Sequence, residues 1–344
     1  MLSRRAAAVL LLEKNCEEVP VSWRVLATPR SFFEEGREGY KLLETAGVEV
    51  IPSPADRPLQ DEELAALLGQ VDGLVVGVDR VGRRSLQAGR PRLRVVARNG
   101  IGVDTVDVQA ATELGVVVTN APSVNADSVA DFAFALLLAL VRRVPEADRA
   151  VRAGAWPRLV GVELRGKYLG IVGFGRIGQR VAERARGFGL RVVAYDPQPD
   201  LAAAGELGVE LVEFPRLLEE ADFVSLHLPL LPETRHLLGE AQLRRMKSTS
   251  YLVNTARGGV VDEAALARAL REGWIAGAAC DVFEEEPPRT SPLLDAPNLL
   301  LSPHMASHTR EAIARASRVA AECVLAVLRG EVPPHVVNPE VLGG

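Results

Sequence analysis

The sequence predicts an α/β protein built from two doubly wound parallel-sheet domains. The chain has 344 residues, more than one compact core usually serves, which favours two domains. Two separate series of short β-rich runs alternate with helical patterns along it. This alternation is typical of parallel strands joined by crossover helices. The composition, 48% apolar and 25% charged, is ordinary for a globular protein.

The first series of alternating elements lies between residues 24 and 119. We predict its strands at residues 24–27, 48–51, 73–78, 93–97 and 116–118, and helices at residues 33–45 and 61–68. One long helix is predicted next, over residues 125–144, with Ser123, Asn125 or Asp127 as its cap and Pro145 as its end. Its middle, FAFALLLALV, is apolar on every side, which predicts burial, in part by a second subunit.

The second series begins at residue 168. We predict its strands at residues 168–172, 191–195, 223–228, 251–254, 276–282 and 299–301, and helices at residues 177–188, 239–246 and 262–272. A last helix, residues 309–328, follows the final strand, and too little chain remains after it for another domain. We therefore expect this C-terminal region to pack on the first domain, so that the second domain is an insertion.

Charge and cysteine content exclude several classes of protein. The net charge of −5 comes without Lys/Arg blocks, so neither nucleic acid nor an anionic membrane is an expected partner. Cys16, Cys280 and Cys323 fit neither a disulfide framework nor a zinc site, which favours a reducing cytoplasm, no metal, and a packed thiol at Cys280. Residues 6–12 are interpreted as a tail or first strand rather than a signal peptide. The longest apolar run, residues 132–141, is too short to span a bilayer.

A glycine-rich turn follows the first strand of the second series. Residues 173–178 read GFGRIG, between the predicted strand and a helical pattern. Gly173 permits a tight turn, Gly175 lets the backbone approach a pyrophosphate, and Gly178 lets helix and strand pack closely. Asp196 ends the next strand, where a carboxylate can accept hydrogen bonds from a ribose 2′-hydroxyl. Together these features predict a dinucleotide site with NAD as the cofactor.

Four further motifs carry a family resemblance: VARNGIGVDTVD (96–107), VNTARGGVVDE (253–263), CDVFEEEPP (280–288) and SPHMASHT (302–309). With the glycine-rich turn at residue 173, the chain resembles the D-isomer-specific 2-hydroxyacid dehydrogenases over residues 24–338. The resemblance implies a flavodoxin-like substrate-binding domain, residues 1–119 and 308–344, split around an inserted Rossmann NAD-binding domain, residues 120–307. It places the active site in the cleft between the two domains and implies a homodimer.

The resemblance assigns catalytic roles to three residues. By the family pattern, Arg257 binds the substrate carboxylate and carbonyl, His304 is the acid/base, and Glu286 is the partner of His304. The residue types suit this chemistry, because hydride delivery to a 2-keto acid requires a proton donor that titrates near neutrality. A neighbouring carboxylate stabilises the imidazolium, and a planar guanidinium matches a carboxylate bidentately.

The binding residues form two sets. The expected cofactor-binding residues are Gly173, Gly175, Arg176, Ile177, Gly178, Asp196, His227, Leu228, Pro229, Thr255, Ala256, Arg257, Asp281, His304 and Ala306. The expected substrate-binding residues are Arg98, Asn99, Gly100, Ile101 and Arg257.

The substrate is expected to be a small anionic 2-hydroxy or 2-keto acid. The pattern around Arg98 resembles the 3-phosphoglycerate dehydrogenases most, which implies 3-phosphohydroxypyruvate as the keto acid and a role in serine biosynthesis. Gly77 weighs against phosphate, because some relatives of that type carry a phosphate-binding arginine there, and no C-terminal regulatory domain is expected. Glyoxylate/hydroxypyruvate reductase is the alternative enzyme. Formate dehydrogenases are disfavoured, since that branch has glutamine at the position of Glu286.

A different class also shares these residues. The C-terminal binding protein corepressors have the same fold, the same Arg/Glu/His set and NAD binding, but act as cofactor-sensing interaction modules. Fold alone does not separate them from the enzymes.

Overall fold

The computed structural model describes residues 23–343 in two compact units. The first unit comprises the described residues up to Val124 together with the C-terminal region from Ile313, and the second unit is Asn125–Ala312. Each unit is built on one sheet whose strands are all parallel, which confirms the α/β prediction with two parallel sheets. The N-terminal interpretation and Cys16 lie outside the described residues.

The first unit has a five-stranded sheet in the order β2-β1-β3-β4-β5. Its strands are β1 (Arg24–Ala27), β2 (Glu49–Pro52), β3 (Gly73–Val76), β4 (Val95–Arg98) and β5 (Val117–Thr119). Its helices are α1 (Arg37–Thr45), α2 (Asp61–Leu68), α3 (Arg83–Gly89) and α4 (Val108–Glu113). Alternate residues of β1 enter two different cores, Leu26 on one face and Val25 on the other. The strands therefore read as continuous apolar runs, because both faces of the sheet are covered.

The second unit has a seven-stranded sheet in the order β12-β11-β10-β9-β6-β7-β8. Its strands are β6 (Tyr168–Val172), β7 (Arg191–Tyr195), β8 (Glu210–Leu211), β9 (Phe223–Leu226), β10 (Tyr251–Asn254), β11 (Gly277–Cys280) and β12 (Leu299–Leu301). The chain adds β7 and β8 on one side of β6, and then β9 to β12 on the other. The strand order thus reverses beside β6, and such switch points bind ligands at the carboxyl ends of the strands.

The helices of the second unit and the C-terminal helix complete the fold. They are α5 (Ala126–Val141), α6 (Val144–Arg152), α7 (Arg176–Gly187), α8 (Leu201–Leu207), α9 (Phe214–Glu220), α10 (Glu240–Leu243), α11 (Glu263–Glu272) and α12 (Arg310–Leu328). The sequence patterns did not predict α3, α4, α8 or α9, each six or seven residues long. Helices this short show too few turns for a 3.6-residue period to stand out.

The prediction of one helix ending at Pro145 is wrong. The helix α5 ends at Val141, and Arg143 then takes a left-handed conformation (φ 54°) that breaks the helical path. Pro145 lies in the first turn of α6, where its missing N–H and its restricted φ are tolerated. Proline therefore helps to start a second helix here instead of closing the first.

One face of α5 packs on the sheet of the second unit. Ala133, Phe134 and Leu137 are buried there, in the same cluster as Ile171 and Phe223. Within residues 23–343, no helix is both long and apolar enough to cross a membrane. No group of His, Cys, Asp and Glu side chains in the described part of the chain could hold a metal ion.

Candidate active site

The expected site residues of the second unit lie at one edge of its sheet. Parallel strands bring their carboxyl ends to the same edge, so the loops that follow them are neighbours. Each strand but β8 is followed by an expected residue: β6 by Gly173, β7 by Asp196, β9 by His227, β10 by Thr255, β11 by Asp281 and β12, after two further residues, by His304. The segments at Gly173 and His304, far apart in the chain, are thereby placed at the same edge of the sheet.

The glycine-rich turn is shaped by close backbone contacts. A Cβ atom at Gly173 (φ 97°) would lie 2.7 Å from the carbonyl carbon of His227, and one at Gly178 would lie 2.2 Å from the Gly173 oxygen. Real Cβ atoms do not come so close, so larger residues cannot replace these two glycines without a backbone shift. At Gly175 a Cβ would meet nothing within 4 Å, which leaves open space over the turn.

The first turn of α7 presents amide donors beside this open space. The amide N–H groups of Arg176 and Ile177 have no acceptor within residues 23–343, as is usual for the first turn of a helix. Asp196 supports the turn, because its Oδ2 accepts the Phe174 N–H (2.8 Å) while its Oδ1 accepts the Gln198 N–H (2.8 Å). A pyrophosphate over Gly175 would find donors and a favourable helix dipole.

Two buried polar atoms lie at the ends of the neighbouring strands without a partner. His227 Nδ1 and Thr255 Oγ1 are inaccessible to solvent and make no hydrogen bond with the described residues. The other ring nitrogen of His227, Nε2, lies 2.8 Å from Ser225 Oγ. Burial lowers the pKa of His227 to about 3, so the ring is neutral at physiological pH. Because buried polar groups usually have partners, these orphan atoms and the open turn fit a polar ligand such as a dinucleotide.

His304 and Glu286 form the pair expected from the sequence. His304 Nδ1 lies 2.7 Å from Glu286 Oε2, and the other carboxylate oxygen accepts the Phe283 N–H (3.1 Å). The imidazole remains 41% exposed, so substrate can reach it. Burial by itself would raise the pKa of Glu286, but the hydrogen bond and charge of His304, the Phe283 N–H and the charge of Arg257 outweigh it and lower that pKa. Glu286 is therefore ionised at neutral pH and suited to stabilise an imidazolium.

The loop that carries His304 is held by Asp281. The backbone of His304 is left-handed (φ 50°), a conformation that residues other than glycine rarely adopt. Asp281 is fully buried, and its carboxylate accepts hydrogen bonds from Ser302 Oγ (2.6 Å), the Met305 N–H (2.9 Å) and the Ala306 N–H (2.8 Å). The His304 N–H donates to the Asp281 carbonyl (2.8 Å). Asp281 thus holds the Ser302 side chain before His304 and the backbone after it, which helps to set the direction of the ring.

Arg257 is brought to this edge by β10. Its Nη1 donates to the Ala256 carbonyl (2.7 Å), and the Asn254 side chain donates to the Arg257 carbonyl (3.0 Å). A Cβ at the next residue, Gly258, would lie 1.9 Å from the carbonyl carbon of Phe283. The backbone after Arg257 is thus in direct contact with the loop that carries Glu286. No pattern in the sequence predicted this contact.

The remaining expected cofactor residues of the second unit lie on the same loops. Leu228 and Pro229 follow His227, with Leu228 buried and Pro229 exposed. Ala256 and Ala306 are both buried. Cys280, at the end of β11, is buried as well, and burial is the largest cause that raises the pKa of its thiol to about 12, so it is a packed thiol as expected.

The expected substrate loop follows β4 in the first unit. Asn120 Nδ2 donates to the Ile101 carbonyl (2.8 Å), and the Ala121 N–H donates to the Gly100 carbonyl (2.8 Å). In contrast, the amide N–H groups of Ile101 and Gly102 have no acceptor within residues 23–343. Carbonyls that are tied down beside free amides make a loop that can bind an anion.

The Arg98 side chain donates hydrogen bonds to carbonyls of this loop. Its Nε donates to the Gly102 carbonyl (2.9 Å), and its Nη1 donates to the Asn99 carbonyl (3.0 Å). The Asn99 side chain lies near Ser317 of α12, with Asn99 Oδ1 3.4 Å from Ser317 Oγ. The guanidinium therefore holds the loop in its conformation.

Sequence reasoning missed Asp79, which lies beside Gly77. Asp79 is 3% exposed, and its carboxylate accepts the Leu59 N–H (2.8 Å), the Gly77 N–H (3.1 Å) and the Thr28 hydroxyl. A Cβ at Gly77 would lie 3.3 Å from Asp79 Oδ2. The position where some related enzymes carry a cation thus has no side chain and has a carboxylate as its neighbour. No periodic pattern marks Asp79, so only its burial identifies it.

Comparisons with known proteins identify the family of the chain. The family model "D-isomer specific 2-hydroxyacid dehydrogenase, NAD binding domain" matches residues 134–306. A glyoxylate reductase of Korarchaeum cryptofilum is 53% identical over 259 residues, which cover 73% of this chain and 78% of that protein. A D-3-phosphoglycerate dehydrogenase of Methanocaldococcus jannaschii is 44% identical over 305 residues, which cover 88% of this chain and 57% of that protein.

A solved structure has a similar fold over almost the whole chain. The apo-structure of D-lactate dehydrogenase from Escherichia coli superposes with a TM-score of 0.81 at 31% identity, covering 91% of this chain and 99% of that one. These similar proteins are dehydrogenases and reductases, which favours an enzyme over a corepressor. The chain belongs to the family of D-isomer-specific 2-hydroxyacid dehydrogenases, and it is an NAD-dependent enzyme of that family.

Proposed function

We propose that this enzyme reduces glyoxylate and hydroxypyruvate with NADH, in place of the phosphorylated keto acid and the role in serine biosynthesis expected from the sequence. The observation that carries the proposal is the absence of a cation at Gly77. This position offers no cation, and the buried carboxylate of Asp79 lies beside it. Arg98 donates to carbonyls of its own loop. A phosphate dianion would gain little here, whereas glyoxylate and hydroxypyruvate present only the one carboxylate that Arg257 is proposed to bind.

The relatives support the same choice. The glyoxylate reductase of Korarchaeum cryptofilum is more similar in sequence, at 53% identity, than the phosphoglycerate dehydrogenase of Methanocaldococcus jannaschii, at 44%. Only 57% of the latter protein is matched by this chain.

Three side chains of the second unit perform the reaction in this proposal. Arg257 binds the substrate carboxylate and draws charge from the keto group, since its guanidinium stays charged at all relevant pH values. His304, as the imidazolium, donates a proton from Nε2 to the carbonyl oxygen, because Nδ1 is hydrogen-bonded to Glu286. Glu286 keeps the ring oriented and stabilises its charge. In the oxidation direction the neutral ring takes the proton back.

The cofactor site follows from the sheet edge described above. NADH, when bound, supplies the hydride. The turn at Gly175 and the first amides of α7 would hold its pyrophosphate, and the polar atoms of His227 and Thr255 would meet its polar groups. Asp196 would accept hydrogen bonds from a ribose, and its charge would repel a 2′-phosphate.

We also propose that the enzyme is a cytoplasmic homodimer. The segment after α6 exposes large apolar side chains, with Trp156 82% and Val160 86% accessible. Large apolar side chains that are this exposed favour a surface that meets another protein. Cys280 and Cys323 are buried free thiols, which fits a reducing compartment.

The substrate proposal predicts a clear ranking of keto acids. With NADH, kcat/KM for glyoxylate should exceed that for 3-phosphohydroxypyruvate by about tenfold or more, because Gly77 supplies no cation for the phosphate and Arg98 donates to its own loop. Steady-state kinetics on a panel of keto acids measures this, and a corepressor would give no turnover above background. Arg98→Met should lower kcat/KM equally for both substrates. A selective loss for the phosphorylated one would show that Arg98 reads phosphate, and the proposal would fail.

The acid/base pair predicts a shift in the pH profile of reduction. Reduction requires imidazolium, so kcat/KM should hold through neutrality and fall on the alkaline side. Since the pKa of Glu286 is lowered, its stabilising charge is present above that pKa and is lost only in acid. Glu286→Gln removes the charge and keeps the shape, so the alkaline transition should move to lower pH by about one unit. Profiles of kcat/KM from about pH 5 to about pH 10 measure it.

His304→Ala is the matching variant for that experiment. It should abolish the alkaline transition and lower kcat by about 100- to 10,000-fold, the usual worth of a positioned acid/base. Near wild-type activity with an unchanged profile would mean that another group donates the proton.

The cofactor site predicts selectivity for NADH over NADPH. Asp196→Ala should narrow the ratio of the two kcat/KM values by about 10- to 100-fold, because a charged hydrogen-bond acceptor and its repulsion of phosphate are both lost. Gln198→Ala is the control, since it alters an exposed neighbour of Asp196 and should leave the ratio unchanged. Equal kcat/KM for both cofactors in the unaltered enzyme would contradict the assignment.

The dimer proposal predicts which surface residues control the mass in solution. Trp156→Asp combined with Val160→Asp should convert a species of about twice the chain mass into a monomer, because charges in an apolar interface are costly. Sedimentation velocity measures the mass. Leu201→Asp is the control, as Leu201 is 71% exposed on α8, and it should leave the dimer intact. A wild-type monomer would refute the proposal.

A further inference from the structure

The loop that carries Glu286 is fastened to the segment that begins with Arg257. This acidic loop, residues 283–291, follows β11. It is attached at two places to residues 257–263, which follow β10. Glu286 lies between these attachments, and within residues 23–343 its carboxylate has two hydrogen bonds, with the Phe283 N–H and with His304. Because the side chain is 38% exposed, the position of its carboxylate depends on the backbone of the loop.

Glu263 makes the main attachment. It is the first residue of α11 and is 7% exposed, although glutamate is rarely buried. One carboxylate oxygen accepts the Glu284 N–H (2.7 Å), and the other accepts the hydroxyl of Ser291. Glu284 returns the contact, because its Oε1 accepts the Glu263 N–H (3.3 Å). One buried carboxylate thus binds both ends of the acidic loop.

Gly258 makes the second attachment. A Cβ at Gly258 would lie 1.9 Å from the carbonyl carbon of Phe283 and 2.4 Å from the backbone nitrogen of Glu284. The two backbones therefore touch at the Phe283–Glu284 peptide. The same short segment therefore carries Arg257 and holds the loop of Glu286. The two groups that act on substrate and on His304 are mechanically joined.

Charged and titratable neighbours surround both carboxylates. Glu286 faces His304 and Arg257, which both lower its pKa. Glu263 lies near the Cys280 thiol, whose pKa its charge helps to raise after burial. Glu284 pairs with His236 from the loop after β9, at 3.2 Å between Glu284 Oε1 and His236 Nε2.

We propose that Glu263 is a positioning residue for the acid/base pair: its buried carboxylate grips both ends of the acidic loop and thereby holds Glu286 against His304. Glu263 touches neither substrate nor cofactor in this role. The inference rests on the proposed roles of Glu286 and His304. It adds that a residue on a different element sets the strength of their interaction.

The test is the pH profile of Glu263→Ala. The loosened loop should move the alkaline transition of kcat/KM to lower pH, in the direction of Glu286→Gln, and lower kcat by about tenfold to 100-fold, the usual effect of a misplaced catalytic group. Glu263→Gln should restore most of the profile, because its amide can accept the Glu284 N–H and donate to Ser291 Oγ. In the double variant with Glu286→Gln, the pH shift should not exceed that of Glu286→Gln alone.

The control separates positioning from loss of stability. Asp262 caps the same helix by accepting the Ala265 N–H (3.0 Å), and within residues 23–343 its side chain makes no hydrogen bond or ion pair with the acidic loop. Asp262→Ala should lower the thermal midpoint and leave the pH profile unchanged. If Glu263→Ala does not fold, Ser291→Ala loosens one end only and should give a smaller shift in the same direction.

Two outcomes would overturn the inference. One is a wild-type pH profile in a folded Glu263→Ala enzyme while Glu286→Gln is shifted. The other is a double variant whose shift is the sum of the two single shifts. Failure of the proposed roles themselves looks different, since Glu286→Gln and His304→Ala would then leave the profile unchanged.

Discussion

The parallel pairing of strands in the second unit is the constraint on which its chemistry depends. Strands that run in one direction end at one edge, so groups far apart in the chain meet there. The three candidate catalytic groups follow β10, β11 and β12, which are neighbours in the sheet. Register places Asn254 beside Cys280 and Cys280 beside Leu301, so the three loops start level with one another. A shift in register would move an arginine, a glutamate or a histidine out of reach.

Buried carboxylates then hold these loops, as ladder hydrogen bonds hold the strands. Asp281 fixes the backbone around His304, Glu263 fastens the loop of Glu286, and Asp79 organises the loops at the edge of the first sheet. Each satisfies backbone N–H groups that would otherwise be buried without an acceptor, at a cost of about 1–3 kcal/mol each. Because one carboxylate accepts hydrogen bonds from several donors, its removal would leave a whole loop without these contacts. The fold thus uses buried charge to hold the loops, whereas the charges that are proposed to act in catalysis are partly exposed.

In the proposed function, the size of the substrate depends on how the cations of the protein are used. An arginine can bind an anion only with donors that are not already committed to the protein. Arg98 commits donors to the carbonyls of its own loop, and Gly77 supplies none. On the proposed function, the single carboxylate of the substrate is bound by Arg257, whose planar fork of donors matches it. The lack of a side chain at Gly77 would then favour a small keto acid over its phosphorylated relative.

Local patterns in the sequence predicted the strands other than β8 and the GFGRIG turn, because short apolar runs and glycine motifs are visible in neighbouring residues. The Arg257–Glu286–His304 set came instead from the resemblance to a family. Local patterns did not predict the break after Val141, since proline occurs both after the end of a helix and in the first turn of one. Only the tertiary structure decided what the buried carboxylates bind. Glu263 meets the acidic loop 21 residues further along the chain through the packing of α11 against it, and no periodicity records such a contact.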